Sequence, residues 1–248
     1  MILLRQFMKL TSAELRLFGR EPLALFFTFI FPVFFLFLTM EVFVPAEAPK
    51  EIVINQVTPS LMVLIIATPA IFGVPMSIVS YRQIKFLKRL RGSPVRPLAI
   101  LGGFGLANFI VTLLGIALLA LVAVLVHGAV LAGSPISFLG GFVLAFLSLA
   151  AIFLFIPAVA RSERAAMAIS QIIYFPVMLF SGVLVPLDQL PDWIARYISA
   201  FIPVTYAVEL LQGLWLGAPL ADLTWEVLIL LSVLLLGVVI AARTFRWE

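Results

Sequence analysis

The sequence contains no cysteine, which excludes disulfides, thiolate metal sites and thiol catalysis. Charge is scarce as well: charged residues make up 11% of the chain against 64% hydrophobic, where a soluble domain carries about a quarter. With a mean hydropathy of +1.23, the apolar surface exceeds what a globular core can hide, and most of it must face lipid. Histidine occurs once, as His127, with no neighbouring group to make it a base, so it reads as an interfacial residue. Ser181 has Gly182 beside it but no histidine in a span to activate it. There is neither a metal-ligand cluster nor a glycine-rich loop ending in Gly-Lys-Ser/Thr. The chain is therefore predicted to be no enzyme, with no catalytic residue, metal or cofactor of its own.

What is present is a succession of long apolar runs, which predicts an all-α, polytopic integral membrane protein with a single transmembrane domain over residues 1–248. Residues 1–21 form a predicted interfacial helix: Arg5, Lys9, Ser12, Arg16 and Arg20 make a polar stripe opposite Leu3, Phe7, Leu10, Leu17 and Phe18. Glu14 falls within the apolar face, where it either reaches water by a tilt of the helix or needs a partner such as a neighbouring subunit or a cation. Six spans follow: 23–44, 57–79, 98–126, 138–160, a fifth beginning near 165, and 225–242. The first resembles a signal peptide with Ala46 and Ala48 at a cleavage-like site, but its charged lead-in and apolar run are too long. Span 2 holds Pro59, Pro69 and Pro75, which places it inside the bundle, where neighbours can satisfy the carbonyls that proline frees.

The formal charge of +4 invites an anionic partner, yet in a membrane protein basic residues mainly record orientation. With both termini cytoplasmic, all 16 basic residues except Lys50 and Arg196 lie inside. Nucleic acid is not expected as a partner. After span 2, residues 81–97 carry the densest charge, with Arg82, Lys85, Lys88 and Arg89 on one side of a short predicted helix and Ile84, Phe86, Leu87 and Leu90 on the other. Gly92 and Pro94 end it.

The stretch 175–213, "FPVMLFSGVLVPLDQLPDWIARYISAFIPVTYAVELLQG", starts as a span and breaks at Pro186, Asp188, Pro191 and Asp192. Residues 184–213 fit a re-entrant helical hairpin dipping into the outer leaflet, with Trp193, Tyr197, Tyr206 and Trp215 at interfacial depth. A surface-lying amphipathic loop is the other reading. None of the spans carries Asp, Glu, Lys or Arg near its centre, and Glu41 and Glu226 lie towards span ends. That weakens, without removing, the alternative of an ion-coupled secondary transporter acting alone. A non-transporting membrane scaffold is a third class.

Taken together, the surface-lying first helix, the six runs, "KFLKRLRGSPVRP", "ARSERAA" and the 175–213 signature are similar to the membrane subunit of ABC type-2 exporters. The resemblance covers nearly the whole chain. It implies a permease in a bacterial or archaeal cell membrane, paired with an ATP-binding subunit that holds ATP and Mg, and with a second permease chain, identical or paralogous. It also implies outward movement of an amphiphilic, lipid-linked or drug-like substrate amid membrane lipids. In such exporters the segment matching Arg82, Lys85, Phe86, Leu87, Lys88 and Arg89 couples to the ATPase. The segment holding Ser181, Gly182, Pro186, Pro191, Trp193 and Pro203 forms an outer gate. The family's path runs between subunits along spans 2 and 5, which makes Thr58, Ser60, Thr68, Gln171 and Tyr174 candidate lining groups; each also fits a helix-packing contact.

Overall fold

The computed structural model describes residues 2–45, 47, 49–85 and 97–244, and every regular element among them is helical. In chain order these are α1 (Ile2–Phe18), α2 (Pro22–Phe43), α3 (Lys50–Gln83), α4 (Pro97–His127), α5 (Pro135–Ile152), α6 (Phe155–Val159), α7 (Glu163–Phe180), α8 (Asp192–Tyr197), α9 (Pro203–Leu216) and α10 (Thr224–Thr244). Proline opens α2, α5 and α9 at the first turn, where its missing N–H costs nothing and its φ is already helical. By length and apolarity, 5 helices among the described residues could cross a membrane: α2, α3, α4, α5 continued through α6, and α10; the count rises to 6 if the bent pair Asp192–Phe201 and Pro203–Leu216 is one span. The predicted fifth span, α7, is 18 residues long. It carries Glu163, Arg164, Ser170 and Gln171 and is not among them.

The centre of the bundle is α3. Of its apolar window 67% is buried, against 17% for α10 and 22% for α2, and it touches α2, α4, α5 and α9. Its prolines explain its shape. Pro75 has no N–H to give the carbonyl of Ile71, and the backbone widens into a π-helical turn over Pro69–Gly73. The hydroxyl of Ser170 on α7 donates to that Ile71 carbonyl at 2.8 Å. A neighbouring helix thus supplies the donor that the sequence removed.

A second proline interrupts the fourth run. Pro157 cannot donate to Phe153, the Ile156 N–H takes that carbonyl instead at 3.0 Å, and α5 and α6 separate at residues 153–154. Close backbone approach joins α5 to α10. A Cβ at Gly237 would stand 2.5 Å from the Ala151 carbonyl carbon, and the buried Ser148 hydroxyl donates to Leu230 O at 2.8 Å.

Helix α1 lies against α4, where Phe7 and Leu10 pack over Gly102 and Gly103 and the Thr11 hydroxyl reaches Gly103 O at 3.4 Å. The polar stripe is exposed at Lys9, Ser12 and Arg16, as expected, but the apolar face is not uniformly covered. Leu17 is exposed while Thr11 is buried, because α4 offers a narrow glycine seam rather than a broad surface.

Candidate functional site

Chemistry-bearing side chains gather where α3 ends. The helix stops at Gln83, and Lys85 adopts φ 56, the left-handed conformation that usually closes a helix with glycine. An ordinary side chain holds that conformation at a cost of about 1 kcal/mol. Arg82 and Lys85 therefore do not share a continuous helical face, contrary to the expectation for 81–97. Phe86, Leu87, Lys88 and Arg89 lie outside the described residues.

Three consecutive residues at this end hold four different elements. Tyr81 Oη donates to Glu14 Oε1 of α1 at 2.6 Å, and its ring stacks on Phe104 of α4 with centroids 5.1 Å apart and planes 8° off parallel. The Arg82 guanidinium donates to Pro157 O at 2.9 Å and to Ala160 O, carbonyls at the end of α6 that no further helical turn would satisfy. The Gln83 amide faces the start of α7, with its nitrogen 3.3 Å from Glu163 Oε1 and its oxygen 3.1 Å from the Glu163 backbone nitrogen. Ser162 caps the same helix by accepting from the Ala165 N–H at 3.2 Å.

The Glu14 partner is thus in this chain: the carboxylate expected to reach water, a cation or another subunit meets a tyrosine hydroxyl instead. Burial holds its carboxyl above the usual carboxylate range; the bond from Tyr81 works against that shift, and the nearby Glu21 charge adds to it.

At the opposite end of the bundle, the stretch after α7 divides into two unlike limbs. Ser181 and Gly182 end α7, Gly182 at φ 84 with Leu187 packed where a Cβ would point. Pro186, Pro191 and Trp193 are exposed, as are Tyr197 and Phe201. At Pro203 the chain turns by 100° into α9. That helix is no surface loop: Val204, Thr205, Ala207, Val208, Leu210, Leu211, Leu214 and Trp215 are all buried. Trp215 accordingly sits enclosed by protein.

An amide network that sequence reasoning missed fixes α9. Asn55 Oδ1 accepts from Trp215 Nε1 at 3.0 Å and from the Val130 N–H at 2.8 Å, and Gln212 Nε2 donates to Ser60 Oγ at 2.7 Å. The Ala132 and Gly133 N–H groups both donate to Trp215 O, at 3.0 and 3.3 Å. Gly133 is required there, since a Cβ would fall 1.9 Å from Leu214 O. The available signal was polar amides within apolar helices, which must find partners when buried. Glu226, placed towards a span end, has Oε2 enclosed without a hydrogen-bond partner among the described residues.

The five candidate lining residues separate. Thr58 is fully buried, with its hydroxyl on Ile54 O at 2.7 Å, and Ser60 is occupied by Gln56 O and Gln212. Thr68 and Tyr174 meet each other at 3.4 Å across α3 and α7. Gln171 alone of the five is exposed, on a face of α7 shared with Met167, Ile172, Phe175 and Leu179.

Residues 5–216 match the family described as ABC-2 type transporter. A curated relative, ABC transporter G family member 20 of Dictyostelium discoideum, is 30% identical over 169 residues, which is 68% of this chain and 23% of that protein. The chain spans about a quarter of the relative's length. Its apolar helices and a family match over most of its length lead to one assignment: this chain is a multi-pass membrane protein belonging to the ABC-2 type transporter family.

Proposed function

We propose that the chain is the permease subunit of an ATP-driven exporter, powered by a separate ATP-binding subunit that carries the ATP and Mg. The observation that carries this reading is the convergence of α1, α6 and α7 on Tyr81, Arg82 and Gln83, immediately before the basic segment 85–91 in the sequence. A partner docked on that segment has a mechanical connection to three elements at once. The absence of a motif for holding ATP phosphates favours a partner as the source of energy.

In this reading α7 with the following hairpin completes a sixth span, both termini are cytoplasmic, and 184–213 is a re-entrant outer gate in the cell membrane. The exposed Gln171 face of α7 meets a second permease chain, identical or paralogous, and membrane lipids cover the remaining apolar faces. The substrate is amphiphilic, lipid-linked or drug-like and moves outward, because the spans bring no charged group to their centres to carry a small ion. Charge reversal at Lys85, Lys88 and Arg89 tests the arrangement. The expected result is a variant that remains in the membrane at wild-type level but no longer modulates the ATPase of its partner. Wild-type modulation by that variant sinks the docking assignment.

A further inference from the structure

We infer that Arg82, with Glu14 and Tyr81, positions the coupling end of α3 rather than touching the ATPase: it transmits movement within the membrane domain. The inference rests on the permease reading above and corrects one residue role within it.

The Arg82 guanidinium is already engaged within the chain. Arg82 is half-buried and donates from two nitrogens to Pro157 O and Ala160 O. These carbonyls lie where α6 ends, and Arg82 is the side chain that reaches them. A cation spent in this way has little left to offer an external partner, whereas Lys85 is exposed beyond the helix end. Planar guanidinium geometry suits two carbonyls at once, which a lysine ammonium cannot match.

The adjacent contacts make the junction a unit. Tyr81 is held from the far side by Glu14 at 2.6 Å and stacked on Phe104, while Gln83 meets Glu163 at the start of α7. From α7 the connection continues into the body of α3, because Ser170 holds Ile71 O, and Thr68 meets Tyr174. Helix α7 then leads through Gly182 into the exposed limb that carries Trp193. The second limb is pinned to α3 by Asn55 and Gln212, and the exposed limb is tied to it at its far end, where the Thr205 and Tyr206 hydroxyls donate to Ser199 O and Ala200 O at 2.9 and 2.8 Å. A displacement of the end of α3 therefore reaches the 187–201 limb through Arg82, Gln83 and α7.

The absence of native cysteine supplies a clean probe. A Trp193→Cys chain is purified with whatever P-loop ATPase it brings, and its maleimide labelling rate is read with no nucleotide and with ATP plus vanadate. The expected result is a nucleotide-dependent rate in this background. In Arg82→Gln the ATPase stays bound in wild-type ratio and traps nucleotide, but the labelling rate no longer responds. Glu14→Ala loses the response in the same way, while Glu14→Gln, which keeps an acceptor for the Tyr81 hydroxyl, retains it. A purely structural role would instead lower ATPase retention and nucleotide trapping in Glu14→Ala along with the labelling response. Loss of the ATPase from Arg82→Gln would make Arg82 a docking contact and overturn the inference. So would an unchanged labelling response in Arg82→Gln, or a Trp193→Cys complex that ignores nucleotide. If the wild-type chain brings no ATPase, the permease reading itself falls and takes this inference with it.

Discussion

The hydroxyl of Ser170 donates across 2.8 Å to the carbonyl of Ile71, four residues before Pro75. Proline and serine sit on different helices, yet one supplies what the other removes. Ser170→Ala leaves a buried carbonyl unpaired and is expected to destabilise the protein by about 1–2 kcal/mol, within the range for an orphaned buried group. Pro75→Ala restores a helical N–H to Ile71, so the Pro75→Ala, Ser170→Ala double variant should lose less than Ser170→Ala alone. Thermal unfolding in mild detergent checks this; additive losses would mean the two residues do not share that carbonyl.

Two glycines on adjoining helices separate close packing from mere flexibility. A Cβ at Gly237 would stand 2.5 Å from backbone of Ala151, whereas one at Gly140 meets nothing within 4 Å. Gly237→Ala should destabilise by roughly 1–3 kcal/mol through overpacking. Gly140→Ala should be neutral or stabilising by up to about 1 kcal/mol, the helix-interior preference of alanine over glycine. Equal effects in an unfolding assay would contradict the described crossing of α5 and α10.

The junction should also respond to pH through Glu14. Burial raises its carboxyl pKa in the folded protein above the unfolded value of 4.5. A folded state that holds the proton more tightly gains stability that is complete below 4.5 and is lost as pH rises through the raised folded value. Relative to Glu14→Gln, the wild-type protein should therefore lose melting temperature as pH climbs through that window. A difference that stays constant across the titration would show that Glu14 does not change protonation on folding.

Orientation can be read with single cysteines in a chain that has none. Trp193→Cys, on the exposed limb, should react with a membrane-impermeant maleimide on intact cells. Lys85→Cys should react only after permeabilisation. The reverse pattern would invert the topology and with it the roles of both ends.

Much of this architecture was legible in the sequence because its causes are local. The length of each apolar run set α2, α4 and α10 within a few residues; α3 starts at Lys50, well ahead of the expected 57, but its three prolines placed it inside the bundle, where 67% of its apolar window is buried. The rest depends on long-range partners with no local signature. Arg82 looked like one of several surface cations, and its inward turn depends on two carbonyls 75 and 78 residues away. Residues 203–216 could also be read as part of a surface amphipathic loop, and what buries them is packing against α3, α5 and α10, fixed by the Asn55 amide 160 residues from Trp215. For Glu14 the sequence left open water or a partner such as a cation or another subunit, and the tyrosine that meets it lies 67 residues on in the same chain.

The account stands most directly on whether an ATPase accompanies this chain. The measurement is to tag the protein in its native host, extract it in mild detergent, and identify what co-purifies and in what ratio. A P-loop ATPase present in equal number with the permease chain is the predicted result. A stable, folded preparation with no ATPase, whose transport collapses with an ion gradient, would contradict it and favour an ion-coupled carrier.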